Sequence, residues 1–341
     1  MKMYRILAPI MVALMVAPAL AAQTARLKIA TMVPDGSFWM NQFEAAAEEI
    51  DSRTDGRVNL RFYPGGTMGS DTAVLRKMRI GQLHGGVLLA GGLATIYQDF
   101  DIYSLPLLFR SYDEVDHIRR HMDEKLIAGL AEHGIVAFGI SETGFTYLMS
   151  AEPTRSFADL RGRKTWTPQD DPIGLAIVQE AGLAPVPLPI SDVLTGLQTG
   201  LIDTVAAPPV GAIALQWFTK APYITDLPIT YVCGALALTE KSLARLSTED
   251  RGVVSEVLNG SIAALDRKIR ADEQAARKAL VKQGATYLDP TGETYSEWER
   301  IAASATEKLL AERGYDAQLF AEIQQLLTDF RISRESDGAD E

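Results

Sequence analysis

The histidines are the residues of this chain whose type and spacing come nearest to metal chemistry. His117 and His121 are four positions apart in a segment with helical periodicity, so their imidazoles share one helix face and could hold a metal ion. Arg119 and Arg120 lie between them, and such a composition is more typical of a solvated helix face. We therefore predict no metal site.

Motifs of catalytic and phosphate-binding sites are also absent from the sequence. The 341 residues contain no G-x-S-x-G, G-x-x-x-x-G-K-[ST], H-E-x-x-H or G-x-G-x-x-G segment. Cys233 is the single cysteine, so it can form neither an internal disulfide nor a cysteine-based metal site. Its apolar neighbours indicate a small buried hydrophobe. The sequence thus predicts a protein that is not an enzyme and that carries no cofactor.

The amino terminus has the pattern of a secretory signal. A basic start at residues 1–5 precedes twelve apolar positions at 6–17, and Ala19 and Ala21 are small residues at the spacing that cleavage requires. We predict a signal peptide over residues 1–21 and an exported, soluble mature chain. The net charge of −11 argues against nucleic acid and anionic membranes as partners, and residues 331–341 are predicted to form a disordered acidic tail.

Strand-like and helical segments alternate along most of the chain. Apolar runs such as 26–33 and 85–92 are separated by segments of helical periodicity, which indicates right-handed crossovers and a mostly parallel sheet. Residues 80–90 and 199–209 repeat one pattern, a helix ending at a glycine and then a strand, so we predict two similar α/β lobes. A periodic run from 247 to 283 predicts one helix of roughly 50 Å, long enough to cross both lobes.

Four segments carry a family resemblance. LKIATMVPDGSFWMNQFEAAAEEIDSRTDGRVNLRFYPGGTMGSD is followed in order by SLPLLFRSYDEV, SFADLRGRKTWTP and LTGLQTGLIDTVAAPP. In sequence and spacing these segments resemble the DctP-type solute-binding proteins of TRAP (tripartite ATP-independent periplasmic) transporters. The resemblance extends from about residue 27 to 325.

The resemblance implies an α/β periplasmic-binding-protein fold with two lobes, mostly parallel sheets, hinge strands and one long interlobe helix. Lobe I is expected at residues 22–142 with about 230–268, and lobe II at 143–229 with about 269–330. Ligand would bind between the lobes at the carboxyl ends of the strands, and the lobes would close around it. The implied protein is a periplasmic monomer that delivers a small molecule to a small and a large integral membrane subunit.

Three positions that contact ligand in the family are altered in this chain. The arginine that clamps a ligand carboxylate aligns with Trp166, an asparagine with Ala207, and a second arginine with Thr146. Without these groups a carboxylate would lose its hydration at a cost of several kcal/mol. We therefore predict a neutral, largely apolar or aromatic ligand, to which Trp166 Nε1 could donate one hydrogen bond. Further candidates for the wall of the site are Met32, Leu89, Ile190, Phe38, Trp39, Phe145, Tyr147, Trp217 and Tyr223, with polar contacts from Ser70 and Asp71.

Other interpretations of the same residues stay open. A tryptophan in a strand is more often core than ligand contact. The ligand could be an organic acid held by another cation, for which Arg163 and Lys164 are the nearest candidates; Lys164 shares a strand face with Trp166. The chain could also be a binding subunit that no longer transports and acts as a sensor or scaffold for a partner protein.

Overall fold

The computed structural model describes residues 24–169 and 171–337. The predicted signal peptide at 1–21 lies outside the described residues, as do residues 338–341. Across the described segments, no helix combines the length and the hydropathy that a membrane span requires.

The amino-terminal part of the fold alternates strands and helices, as predicted. Ser37 caps the first helix by accepting a hydrogen bond from Met40 N at 3.2 Å. The predicted strand 85–92 is wrong at its end, since the last residues turn into a short helix. The elements are β1 (Ala25–Thr31), α1 (Phe38–Arg53), β2 (Val58–Tyr63), α2 (Asp71–Arg79), β3 (Gly85–Leu89), α3 (Ala90–Leu93), a 3₁₀ helix (Gln98–Ser104), α4 (Tyr112–Glu132) and β4 (Ile135–Ala137).

The second part repeats the alternation and ends in long helices. The segment 134–141 contains β4 and the start of the next strand. The elements are β5 (Ser141–Ser150), β6 (Lys164–Pro168), α5 (Pro172–Glu180), β7 (Ala184–Leu188), α6 (Val193–Thr199), β8 (Thr204–Ala207), α7 (Pro209–Ala214), β9 (Tyr223–Thr239), α8 (Glu240–Leu243), α9 (Thr248–Lys282), β10 (Thr286–Leu288), α10 (Gly292–Arg313) and α11 (Ala317–Asp337), with 3₁₀ helices at Phe157–Leu160, Ile190–Asp192 and Trp217–Thr219.

The strands of the described chain form one mixed sheet that joins the two lobes. Its order is β2-β1-β3-β9-β5-β8-β6-β7, with β4 and β10 paired to β9. Pairing is parallel at both ends, where β1 joins β2 and β3, and β6 joins β7 and β8. It is antiparallel in the middle, where β9 pairs with β3 and β5, and β5 with β8. The predicted parallel pairing therefore holds within each lobe, and β5 and β9 act as the hinge strands between them.

Helix α9 is the long helix predicted from periodicity. Ser247 caps it by accepting a hydrogen bond from Asp250 N at 3.0 Å, and the 35 residues that follow span roughly 50 Å. It packs against α1 in lobe I, against α7 in lobe II and against β5 between them. One helix therefore contacts both lobes and the hinge, as the two-lobe fold requires.

The predicted disordered tail is wrong for residues 331–337, which continue α11. Arg331 anchors this helix, since its guanidinium donates to both carboxylate oxygens of Glu114 on α4, at 2.7 and 2.9 Å. The same side chain donates to Leu108 O at 3.0 Å. Charge-assisted bonds of this kind to a buried carboxylate offset the cost of ordering a polar chain end.

Candidate functional site

The strand ends of both lobes meet the middle of the two hinge strands. Leu89, the last residue of β3, lies opposite Gly234 of β9. Ala207, the last residue of β8, lies opposite Tyr147 of β5. Because carboxyl ends of parallel strands form the ligand crevice in open α/β sheets, this junction is the candidate site.

Trp166 is buried in lobe II, with 7% of its surface exposed. Its Nε1 donates to Leu188 O at 3.0 Å, and its ring lies edge-to-face on Trp217 with centroids 5.0 Å apart. The expectation that Nε1 is free to bond a ligand is therefore wrong in this structure. What Trp166 presents is an apolar ring held in place by a backbone acceptor and a second, fully buried indole.

The cations beside Trp166 point elsewhere. Lys164 Nζ donates to Gly200 O at 3.0 Å, and Arg163 Nε donates to Asp159 O at 3.0 Å. Lys164 is the first residue of β6, whereas the crevice lies at the opposite end, near Pro168, roughly 13 Å away along the strand. Neither cation replaces the missing arginine in this arrangement.

The candidate residues on the hinge are packed, not open. Thr146 Oγ1 lies 2.7 Å from Thr230 Oγ1 across the β5–β9 pair. The ring of Phe145 meets the rings of Tyr112 and Tyr231 edge-on, at 4.9 and 5.5 Å. Tyr147 lies under the Arg277 guanidinium at 5.0 Å, and burial raises the pKa of its phenol. Phe145 and Tyr147 therefore stabilise the hinge, while Thr146 offers a hydroxyl that is already bonded.

Large apolar side chains are exposed at or just beyond the carboxyl ends of the parallel strands. Met32 follows β1 and is 40% exposed, Leu89 ends β3 and is 48% exposed, and Ile190 follows β7 and is 40% exposed. Phe38, at the start of α1, is exposed as well, with Lys268 Nζ 4.5 Å from its ring centroid. These positions leave apolar surface in water that a bound ligand could cover.

The remaining candidate residues contribute to packing or to the ends of secondary-structure elements. Trp39 is half-buried against the core of α1 and α9, and Trp217 is core of lobe II. Ser70 occupies the N-cap position of α2 with an extended backbone, and its side chain makes no capping hydrogen bond. The carboxylate of Asp71 accepts from Leu89 N at 2.9 Å and thereby fixes the end of β3 at the crevice. Sequence reasoning missed this role because the contact joins residues 18 positions apart.

Comparison with known proteins agrees with the fold and identifies the family. The DctP family profile, described as bacterial extracellular solute-binding protein, family 7, matches residues 29–313. The C4-dicarboxylate-binding periplasmic protein DctP of Rhodobacter capsulatus is 23% identical over 278 residues, covering 80% of this chain and 81% of that protein.

Two solved structures show the same architecture. A TRAP periplasmic solute-binding protein from Xanthobacter autotrophicus Py2, with bound β-D-galacturonate, superposes with a TM-score of 0.80 at 19% identity over 89% of this chain and 99% of that one. One from Haemophilus influenzae RdAW, with bound L-gulonate, gives 0.81 at 16% identity over 88% and 99%. The chain belongs to the DctP family of bacterial extracellular solute-binding proteins, which are TRAP solute receptors and not enzymes.

Proposed function

We propose that this receptor captures a neutral, largely apolar or aromatic small molecule between its lobes. The observation that carries the proposal is that the indole N–H of Trp166 is already hydrogen-bonded within the protein. Where the resemblance places a carboxylate-clamping arginine, this chain has an indole whose only N–H is already donated to Leu188 O. The ring that remains has no charge to offer a carboxylate.

Energetics favour an apolar ligand at such a wall. A carboxylate moved from water onto Trp166 and Ala207 would lose hydration without gaining a charged partner, at a cost of several kcal/mol. An apolar ligand would gain about 25 cal/mol for each Å² of apolar surface removed from water. Exposed Met32, Leu89 and Ile190 supply such surface on both sides of the crevice.

An organic acid is the second candidate, because the ligands of known relatives favour it. Galacturonate and gulonate, found in the two solved structures, are sugar acids, and the Rhodobacter relative is named for C4-dicarboxylates. Since Lys164 and Arg163 are directed away, we consider Lys268 of α9 as a cation for an acid, because its Nζ lies 4.5 Å from the exposed ring of Phe38. The lysine side chain is 42% exposed and is paired with Asp272.

We also propose that the receptor is a periplasmic monomer. It delivers its ligand to the two membrane subunits of a TRAP transporter. Support for delivery comes from the family, whose members work with membrane subunits. A sensor or scaffold role would instead predict binding to a partner protein and no transport. Reconstituted uptake of the identified ligand with the two membrane subunits separates these possibilities, since a sensor would not support uptake.

The ligand class is tested by thermal-shift screening followed by calorimetry with matched compounds. The panel pairs neutral aromatic and aliphatic molecules with the corresponding carboxylates and includes glucuronate, galacturonate and C4-dicarboxylates. Neutral members should raise the melting temperature more than their acid counterparts. Strong binding of an acid by the wild type, lost in Lys268→Gln or Lys164→Ala, would contradict the proposal.

The variant Trp166→Arg gives a second, internal test. Returning a guanidinium to this position should strengthen binding of acids relative to their neutral counterparts, by about tenfold or more, because a bidentate pair becomes available. Trp298→Phe is the control, since it removes another buried indole, one that packs against Phe157 on a different helix. An unchanged preference in folded Trp166→Arg would mean that this position does not face ligand.

A further inference from the structure

Helix α9 carries one charged residue in the otherwise apolar buried series that begins at Val254. The buried positions run through Ile262, Leu265, Ile269, Glu273, Ala276 and Leu280 at helical spacing. Glu273 is 5% exposed. A carboxyl group at such a position costs free energy unless it is protonated or hydrogen-bonded, so its partners indicate what it does.

The partners of Glu273 belong to lobe I and to the hinge. Tyr112, the first residue of α4, donates its phenol hydrogen to Glu273 Oε2. This pair lies against Gly144 of hinge strand β5, where an added Cβ would be 3.1 Å from Tyr112 Oη and 3.2 Å from Glu273 Oε2. Gly144 has φ of +105° and adjoins a shift in the β5–β9 register. Both the backbone conformation and the space there require glycine.

Two arginines flank Glu273 on the same face of α9, and both serve other carboxylates. Arg270 donates to Asp116 on α4 at 2.6 and 2.8 Å and to Glu142 on β5 at 2.8 Å. Arg277 donates to Asp226 on β9 at 2.8 Å. The titratable and charged groups around Glu273 are therefore Tyr112 and Asp116 on α4, Glu142 and Tyr147 on β5, Asp226 on β9, Tyr287 on β10, and Arg270 and Arg277 on α9.

We propose that Glu273 is a proton-dependent switch of the hinge: with its proton it keeps α9, α4 and β5 in the arrangement seen here, and without it the lobes shift toward an arrangement in which the carboxylate reaches water. Arg270, Glu273 and Arg277 form a charged seam on α9. Arg270 links the helix to lobe I and the hinge, and Arg277 links it to β9. Glu273 lies between these two links. A rotation of the lobes about β5 and β9 would therefore change how far the Glu273 carboxyl group is exposed to water.

Burial of Glu273 sets the pH range in which this switch operates. Desolvation raises the pKa of Glu273 to about 7, and the Arg277 charge lowers it by a smaller amount. An acid whose pKa is raised in one arrangement favours that arrangement at low pH and disfavours it as the pH rises through that pKa. Both protonation states are therefore populated near neutral pH, in the arrangement seen here.

The expected effect is large enough to measure. If the carboxyl regains an ordinary pKa on hydration, the population ratio of the hydrated to the buried arrangement should rise roughly 30-fold between pH 5.5 and 8.5. Ligand affinity should therefore also change with pH, because lobe closure and ligand binding are linked.

The test is a distance measurement in the ligand-free protein. Spin labels at Glu48→Cys on α1 and Gln198→Cys on α6 occupy exposed sites on opposite lobes, and buried Cys233 is shielded from the reagent. Pulsed electron resonance should show the interlobe distance distribution change between pH 5.5 and 8.5. In Glu273→Gln the distribution should resemble the low-pH wild type at both pH values.

Asp272→Asn is the matched control, since it removes one carboxylate from the adjacent residue, where the side chain is 38% exposed and paired with Lys268. It should keep the wild-type pH response. The proposal fails if the wild type does not respond, if Glu273→Gln responds as the wild type does, or if Asp272→Asn abolishes the response.

Tyr112→Phe keeps the test decisive should Glu273→Gln not fold. Losing the hydroxyl that donates to the carboxylate should raise the midpoint of the transition, and an unmoved midpoint would overturn the proposal. Because no ligand is added, the result is independent of the ligand class proposed above.

Discussion

The two walls of the crevice differ in how far they are ordered before a ligand arrives. On the lobe II side, Trp166 is fixed by Leu188 O and by the buried ring of Trp217. On the lobe I side, Met32 and Leu89 are unbranched or γ-branched aliphatic chains with 40% and 48% of their surface exposed. The lobe II wall at Trp166 is part of the protein core, whereas the lobe I wall, like Ile190 beyond β7 in lobe II, remains partly in water.

The difference teaches where ligand affinity should originate. The aromatic pair of lobe II contributes its burial energy to folding, so ligand binding gains there mainly from a rigid surface that needs no reordering. The aliphatic wall of lobe I contributes little to folding and still has apolar area to lose on closure. Substitutions on the lobe II wall should therefore mainly lower the free energy of unfolding. Substitutions on the lobe I wall should mainly weaken ligand binding.

The largest effect is expected for Trp217→Ala. Removing a fully buried indole leaves a cavity next to Trp166 and should lower the free energy of unfolding by about 3–5 kcal/mol, as measured by urea denaturation. Leu89→Ala is the matched comparison on the other wall and should change stability by less than about 0.5 kcal/mol. Equal losses for the two variants would show that the walls do not differ as described.

How much of this the sequence predicts depends on how local each interaction is. Capping by Ser37 and Ser247 and left-handed glycines such as Gly200, with φ of 70°, are set by neighbouring residues, so the helix boundaries and the alternation of elements were predictable. The hydrogen bond from Trp166 to Leu188 O depends on the pairing of β6 with β7, so it was not predictable from the local sequence. The family resemblance indicated the position of Trp166, but only the packing shows that its N–H is occupied.

The charged seam of α9 was missed for the same reason. Periodicity predicted the helix and its length, but it treats every buried position alike. Glu273 is stabilised by Tyr112, and Arg277 by Asp226, which lie 161 and 51 positions away in the sequence. A pattern confined to one helix cannot indicate such partners, and the hinge function proposed for Glu273 depends on them.

An intermediate effect is expected on affinity for Leu89→Ala and Met32→Ala. Each removes part of the apolar surface that lobe closure would cover, so ligand binding should weaken by about 1 kcal/mol, or roughly fivefold in Kd. Titration calorimetry with the ligand found by screening measures this. Ile80→Ala, an exposed aliphatic position at the far end of α2, should leave Kd unchanged. If the lobe I variants bind as the wild type does, Met32 and Leu89 lie outside the ligand contact.

The smallest effect is expected for Lys164→Ala, the variant that tests whether this lysine reaches the ligand. Lys164 Nζ is bonded to Gly200 O at the start of β6, on the exposed surface, and such a contact is worth a few tenths of a kcal/mol at most. Removing it should leave both the unfolding free energy and Kd close to wild type. A large loss of affinity would require Lys164 to leave Gly200 and reach the crevice when ligand binds. The lobe II wall would then no longer be a purely apolar surface, and the contrast between the two walls would not hold for the bound state.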